Sequence, residues 1–195
     1  MISASIWRTV RMKNELEISP FSIYEKEYVK KAALLLESAF PDSYKGRGID
    51  EVMECLSEDR VAFKATKDGE FIGFVSALEA YKPYGWELHP LVVADNARKM
   101  GIGQKLVEAL EKVLSEKGVL TIFLGTDDER FATSLSEGDL FENLYEKMAK
   151  VRNYKEHPYE FYEKLGYQIV GVIPNANGWN KPDIIMAKNI AEKEV

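Results

Sequence analysis

The segment Leu91-Val92-Val93-Ala94-Asp95-Asn96-Ala97-Arg98-Lys99-Met100-Gly101-Ile102-Gly103 has the residue types and spacing best suited to chemistry. An apolar strand runs into a turn that opens a long helix, with Gln104 in the first helical turn. Glycines at 101 and 103 let main-chain N–H groups approach an anion without side-chain obstruction. The helix start adds partial positive charge, and Arg98 and Lys99 supplement it. Such a turn suits a pyrophosphate. Its Arg-x-x-Gly-x-Gly spacing is neither the dinucleotide Gly-x-Gly-x-x-Gly nor a nucleotide P-loop, which ends in Gly-Lys-Ser/Thr. A tight turn whose glycines only pack would share the pattern, so the turn alone leaves both readings open.

A second group of candidates suits a cation. Glu87 and His89 alternate onto one face of a strand running from Trp86 to Val93. A carboxylate there could hold an ammonium. Taking its proton directly is another matter, because ordinary carboxylates and ammoniums differ by roughly six pKa units, about 8 kcal/mol. A water chain or an altered environment would have to complete the relay. Asp127, Asp128, Glu129, Glu137, Asp139 and Glu142 lie close together in sequence and would suit a polycation, or else a solvated acidic loop. Trp86 and Tyr84 could stack on sugar rings or simply fill the core. Cys55 lacks a partner base and reads as buried and inert. Two histidines and one cysteine, far apart in sequence, offer no metal site.

Several elements must position these residues. Glu17–Phe21 reads as a first strand, Tyr24–Phe40 as a helix closed by Pro41, and Ile49–Leu56 as a short helix. Arg60–Thr66 and Glu70–Leu78 flank Asp68-Gly69, a strong hairpin signal. Leu106, Val107, Leu110, Val113 and Leu114 give Gly103–Lys117 one apolar helical face, and Gly118 stops it. Leu120–Leu124 follows as a buried strand. Leu140–Val151 and Tyr159–Leu165 look helical, and Tyr167–Ile173 and Ile184–Ala187 look like strands around an Asn- and Gly-rich loop. A hairpin followed by alternating strands and helices predicts an α/β (α+β) chain with a mixed sheet flanked by helices.

Composition bounds the rest. The 195 residues suit one domain, expected over residues 15–195, with residues 1–14 a poorly ordered extension. A net charge of −6 disfavours a nucleic-acid partner, and no apolar run reaches the length of a membrane span. The single cysteine excludes an internal disulfide and points to the cytoplasm.

Arg98-x-x-Gly101-x-Gly103, after an apolar strand and before a long amphipathic helix, resembles the acetyl-CoA signature of the GNAT N-acetyltransferase superfamily. Trp86–Val93, Leu124–Asp128, His157–Tyr167 and Pro174–Trp179 further resemble the chromosomal type of aminoglycoside 6′-N-acetyltransferase. The similarity runs from about Trp86 to Lys188 and is weak upstream. The resemblance implies a mostly antiparallel sheet splayed between two strands, acetyl-CoA as cosubstrate without a metal, and a homodimer.

It also implies roles. Arg98, Lys99, Met100, Gly101, Ile102, Gly103 and Gln104 would bind the coenzyme, with Leu91, Val92 and Val93 beside its pantetheine arm. Pro90 cannot donate a ladder hydrogen bond, so the sheet should open or bulge there and free the Leu91 N–H for a developing oxyanion. Glu87 would be the base, with His89, Trp86, Asp127, Asp128 and Asp139 around the acceptor. Tyr162 matches the residue that donates a proton or hydrogen bond to the departing sulfur. An aminoglycoside is the implied acceptor. Another amine, such as a polyamine or peptide N-terminus, and a non-catalytic acetyl-CoA sensor are the alternatives.

Overall fold

The computed structural model describes residues 15–191, and the expected extension over residues 1–14 lies outside them. Seven strands form one sheet: β1 (Leu16–Pro20), β2 (Arg60–Lys67), β3 (Glu70–Tyr81), β4 (Gly85–Val93), β5 (Thr121–Asp127), β6 (Gln168–Ile173) and β7 (Asp183–Asn189). Their spatial order is β1-β2-β3-β4-β5-β7-β6. Every neighbouring pair is antiparallel except β4 and β5. Asp68 and Gly69 both take positive φ, 53° and 84°, as a two-residue turn needs when it follows the twist of its strands.

The helices are α1 (Lys26–Ala39), α2 (Pro41–Tyr44), α3 (Gly48–Cys55), α4 (Ile102–Glu116), α5 (Leu144–Ala149) and α6 (Tyr159–Lys164). Pro41 both ends the first helical run and begins α2, since proline suits a first helical turn. The helix expected over Leu140–Val151 is reduced to α5, because Asn143 turns left-handed at φ 55° just before it. Leu106, Val107, Leu110 and Leu114 of α4 are fully buried against one sheet face. At roughly 1.5–3 kcal/mol each, their burial is enough to fix where the helix begins and which way its mouth points. Val29, Ala32, Ala33 and Leu36 of α1, with Val52 and Cys55 of α3, cover the other face.

Two irregularities in β4 shape the site. First, β4 pairs with β5 only through Gly85–Glu87 against Thr121–Phe123, and beyond Glu87 the strands part. Second, the β3–β4 register steps from Val75↔Leu91 to Ala77↔Leu88, so His89 and Pro90 share the place opposite Ser76. The inserted residue reverses the side-chain alternation. Trp86 and Leu88 sit in the core under α4, yet so do Leu91 and Val93, whereas Val92 packs with α1 and α3.

Candidate active site

The opening between β4 and β5 lies beside the bulge. Pro90 has no N–H to give β3, the ladder bulges opposite Ser76, and beyond Glu87 the strand no longer pairs with β5. The Ala94 N–H donates to the Ile72 carbonyl at 2.8 Å. Main-chain groups alternate sides along a strand, so the N–H groups of Leu91 and Val93 face away from β3, into the opening. Val93 also accepts a hydrogen bond from Arg98 Nε at 3.3 Å through its carbonyl.

The mouth of α4 lies beside this opening. Lys99 and Gly101 take left-handed φ values of 60° and 76°, and a Cβ placed on Gly101 would enter open space. The first bond into the helix runs from the Lys105 N–H to the Gly101 carbonyl at 3.1 Å. No side chain caps this end. The N–H groups of Ile102, Gly103 and Gln104 are therefore those that a helix start offers to an anion. Ile102 anchors the turn in the core, Met100 is exposed, and the Gln104 side chain turns to Glu108 at 2.7 Å. Arg98 pairs with Asp95 at 3.0 Å and Lys99 with Glu156 at 3.1 Å. Both are exposed pairs of the kind that contribute little and can exchange for a phosphate. Gly103 has a packing reason as well: a Cβ there would come 3.2 Å from Phe161 Cζ and 3.9 Å from Leu91 Cδ2. The residues present fit a diphosphate, with donors aimed outward and space at Gly101 where it would lie.

Phe161 and Tyr162 belong to α6, which His157 ties to β5. His157 is buried, its Nδ1 accepts from the Tyr159 N–H at 3.2 Å, and its Nε2 donates to the Asp127 carbonyl at 3.2 Å. Asn153 clamps its main chain through bonds of 2.8 and 3.0 Å. Burial lowers the His157 pKa, outweighing Asp128, so the ring stays neutral. Tyr162 packs edge-on to Phe161 and Tyr167 within the α4 core, and its burial raises the phenol pKa.

On the other side of the sheet, Glu87 and His89 point away from Trp86 and Leu88 and are half-buried. The Tyr44 hydroxyl of α2 lies 2.9 Å from His89 Nε2, and Glu51 of α3 lies 3.5 Å from the same nitrogen. Burial, then the neighbouring Glu51, push the Tyr44 phenol up to about 12. Asp127 shares this face and is held by a hydrogen bond from the Asn177 side chain. Asp183 stands opposite Asp127 in the β5–β7 register.

Burial corrects two sequence expectations, Trp86 and Asp128. Trp86 is only 9% exposed and belongs to the core under α4, so it cannot stack on an acceptor bound with Glu87 on the other face. Asp128 is fully buried, accepting from the Ala132 N–H (2.6 Å), the Thr133 N–H (2.9 Å) and the hydroxyls of Thr133 (2.8 Å) and Ser136 (2.6 Å). Burial alone would raise its pKa; these bonds overcome that and hold it below the ordinary carboxylate value. Its lone pairs hold a loop together. Asp139 stays exposed, its side chain accepting from the Phe141 N–H at 2.9 Å and its carbonyl from Lys147 at 2.6 Å. Cys55 is buried, and burial followed by Glu51 pushes its thiol up to about 12.

Tyr44, Glu51, His157, Asn177 and Asp183 were not legible as site residues. Each is a lone polar residue in a short helix, loop or strand end, with no periodicity or spacing to mark it. Among the described residues, no three His, Cys, Asp or Glu side chains are placed to hold a metal ion, and no helix is long and apolar enough to cross a membrane.

Comparison with known proteins agrees with this geometry. A crystal structure of aminoglycoside 6′-N-acetyltransferase complexed with coenzyme A is 46% identical, covers 92% of this chain and 99% of its own, and superposes with a TM-score of 0.89. The aminoglycoside 6′-N-acetyltransferase from Enterococcus faecium is also 46% identical, with the same coverage and a TM-score of 0.87. An uncharacterized N-acetyltransferase of Chlorobaculum tepidum is 35% identical over 97 residues, a match that spans 48% of this chain and 62% of that relative. Residues 29–148 match the Acetyltransferase (GNAT) family, and with the splayed sheet and open helix mouth the conclusion is direct: the chain belongs to that family.

Proposed function

We propose that the protein transfers the acetyl group of acetyl-CoA directly to the 6′-amine of an aminoglycoside. One observation carries the reading. The Leu91 N–H faces an opening that has an anion-binding helix mouth on one side of the sheet and a carboxylate-rich face on the other. Likeness at 46% identity to aminoglycoside 6′-N-acetyltransferases supports the acceptor.

Acetyl-CoA, when bound, supplies the thioester whose carbonyl carbon the acceptor amine attacks. Arg98 through Gln104 hold its diphosphate, while the main chain at Leu91, Val92 and Val93 aligns its arm. The Leu91 N–H donates to the carbonyl oxygen as negative charge develops there. Glu87 holds the acceptor ammonium, whose proton leaves by way of water before the C–N bond forms. When the C–S bond breaks, sulfur takes the electron pair. Tyr162 donates a hydrogen bond to it, and burial of the phenol favours that role over full proton donation, since an ordinary thiol near 8.5 is the stronger acid. His89, bonded to Tyr44, positions the acceptor. The reading extends to a homodimer in the cytoplasm, which light scattering and cell fractionation would check.

Purified protein, acetyl-CoA, a thiol-reactive dye and a panel of amines test the proposal. Thiol release with kanamycin is the expected result. Release only with spermidine or peptide amines would replace the acceptor, and coenzyme binding with no release would leave a sensor.

A further inference from the structure

Asp183 begins β7 and faces Asp127 across the β5–β7 pair. Directly opposed residues project to the same side of a sheet, so both carboxylates lie on the face that carries Glu87. The Asp183 carboxylate folds back over Gly125, where a Cβ would come 2.5 Å from Oδ2. Its Oδ1 is buried and has no hydrogen-bond partner. Among the described residues no cation is placed against it, and Lys181, in the loop before β7, lies over the Phe131 ring with its Nζ 5.9 Å from the centroid. β5 brings Asp127, β4 brings Glu87, the β6 residue in register is Ile173, and the loop after β6 contributes the neutral Asn177, which bonds Asp127 rather than Asp183. A buried carboxylate oxygen left unpaired among like charges is costly unless a cation completes it.

We propose that Asp183 is a specificity-determining residue that, with Asp127, binds a second ammonium of the acceptor while Glu87 holds the reacting one. The inference rests on the amine-acetylating reading above and narrows its substrate class to amines bearing a further cationic centre. Gly125 is part of the device, because only a residue without Cβ lets the Asp183 carboxylate lie there. The proposal has a proton signature. Burial, then Asp127 and Glu87, raise the Asp183 carboxyl to about 6 against a main-chain hydrogen bond at Thr126. An ammonium beside it removes that penalty, so binding at pH 6 ionises Asp183 and releases about half a proton per site.

Calorimetric titration with kanamycin at pH 6, in two buffers of different ionisation enthalpy, measures that proton without requiring turnover. Steady-state acetylation supplies KM and kcat separately. Asp183→Asn should remove the proton release and raise KM for kanamycin tenfold or more, with a smaller fall in kcat. Gly125→Ala, which keeps every carboxylate but displaces that of Asp183, should raise KM in the same direction. Unchanged acetyl-CoA affinity in both variants certifies folding. A KM within twofold of wild type in Asp183→Asn, or undiminished proton release, overturns the inference. If kanamycin binds with Asp183-dependent proton release but is not acetylated, the inference stands and the assigned reaction falls.

Discussion

Placing a carboxylate at the mouth of α4 tests the coenzyme site by charge alone. Gly101 takes φ 76°, a conformation that Asn and Asp tolerate better than other side chains, and a Cβ there meets no atom within 4 Å. Gly101→Asn and Gly101→Asp should therefore fold alike, each losing about 1 kcal/mol to the left-handed backbone. Their side chains have the same shape and enter the same space, so any difference between them in coenzyme binding comes from one negative charge. For a carboxylate about 5 Å from a phosphate charge, Coulomb's law gives roughly 3 kcal/mol at an effective dielectric of 20 and about half that at 40. Those values correspond to about two hundredfold and tenfold in affinity. Calorimetric titration with coenzyme A at low salt should accordingly show Gly101→Asp binding at least tenfold more weakly than Gly101→Asn. At 1 M salt, where charges more than about 3 Å apart are screened, the gap should narrow. Equal affinities for the two variants at low salt would refute the placement of the diphosphate at this helix start.

Other perturbations probe the scaffold and the chemistry. Asp128→Ala strands the buried N–H groups of Ala132 and Thr133, at roughly 1–3 kcal/mol each, so urea unfolding should show a loss of about 2–6 kcal/mol; a loss under 1 kcal/mol would contradict the hub role. Tyr162→Phe should lower kcat tenfold or more while leaving the thermal midpoint within a few degrees, and unaltered turnover would remove its hydroxyl from the reaction. His157 is held neutral by burial, so the unfolded chain takes up its proton first as pH falls through about 6.5, and folding stability should drop from pH 7 to pH 5. Asp183 contributes in the opposite sense, since its raised folded pKa gives stability that is lost as pH climbs from about 4 through about 6. Comparing urea midpoints of wild type and His157→Gln at pH 5 and 7 isolates the histidine, whose replacement should flatten the acid-side loss.

The geometry of the α4 mouth was legible because it is local. Gly101, Gly103 and the apolar face from Leu106 to Leu114 are neighbours in sequence, and a helix start places its free N–H groups by backbone geometry alone. The Asp68-Gly69 hairpin was readable for the same reason, and so was the bulge at Pro90, since a missing N–H is a property of one residue. Alternation also put Glu87 and His89 together correctly.

Alternation does not carry through the bulge, where one inserted residue sends Val92 to the α1 and α3 side and Leu91 to the α4 side. Proximity in sequence misled for the acidic run. Asp127 and Asp128 are adjacent, yet strand geometry turns one toward the face of Glu87 and buries the other under four hydrogen bonds. Asp183 joined Asp127 only through strand pairing across 56 positions, and Tyr44 reached His89 only because the short α2 packs beside α1. Short-range backbone preferences act on neighbouring residues and can be read along the chain. A binding face is assembled by burial and strand pairing between distant segments, whose side chains meet only when the core has closed.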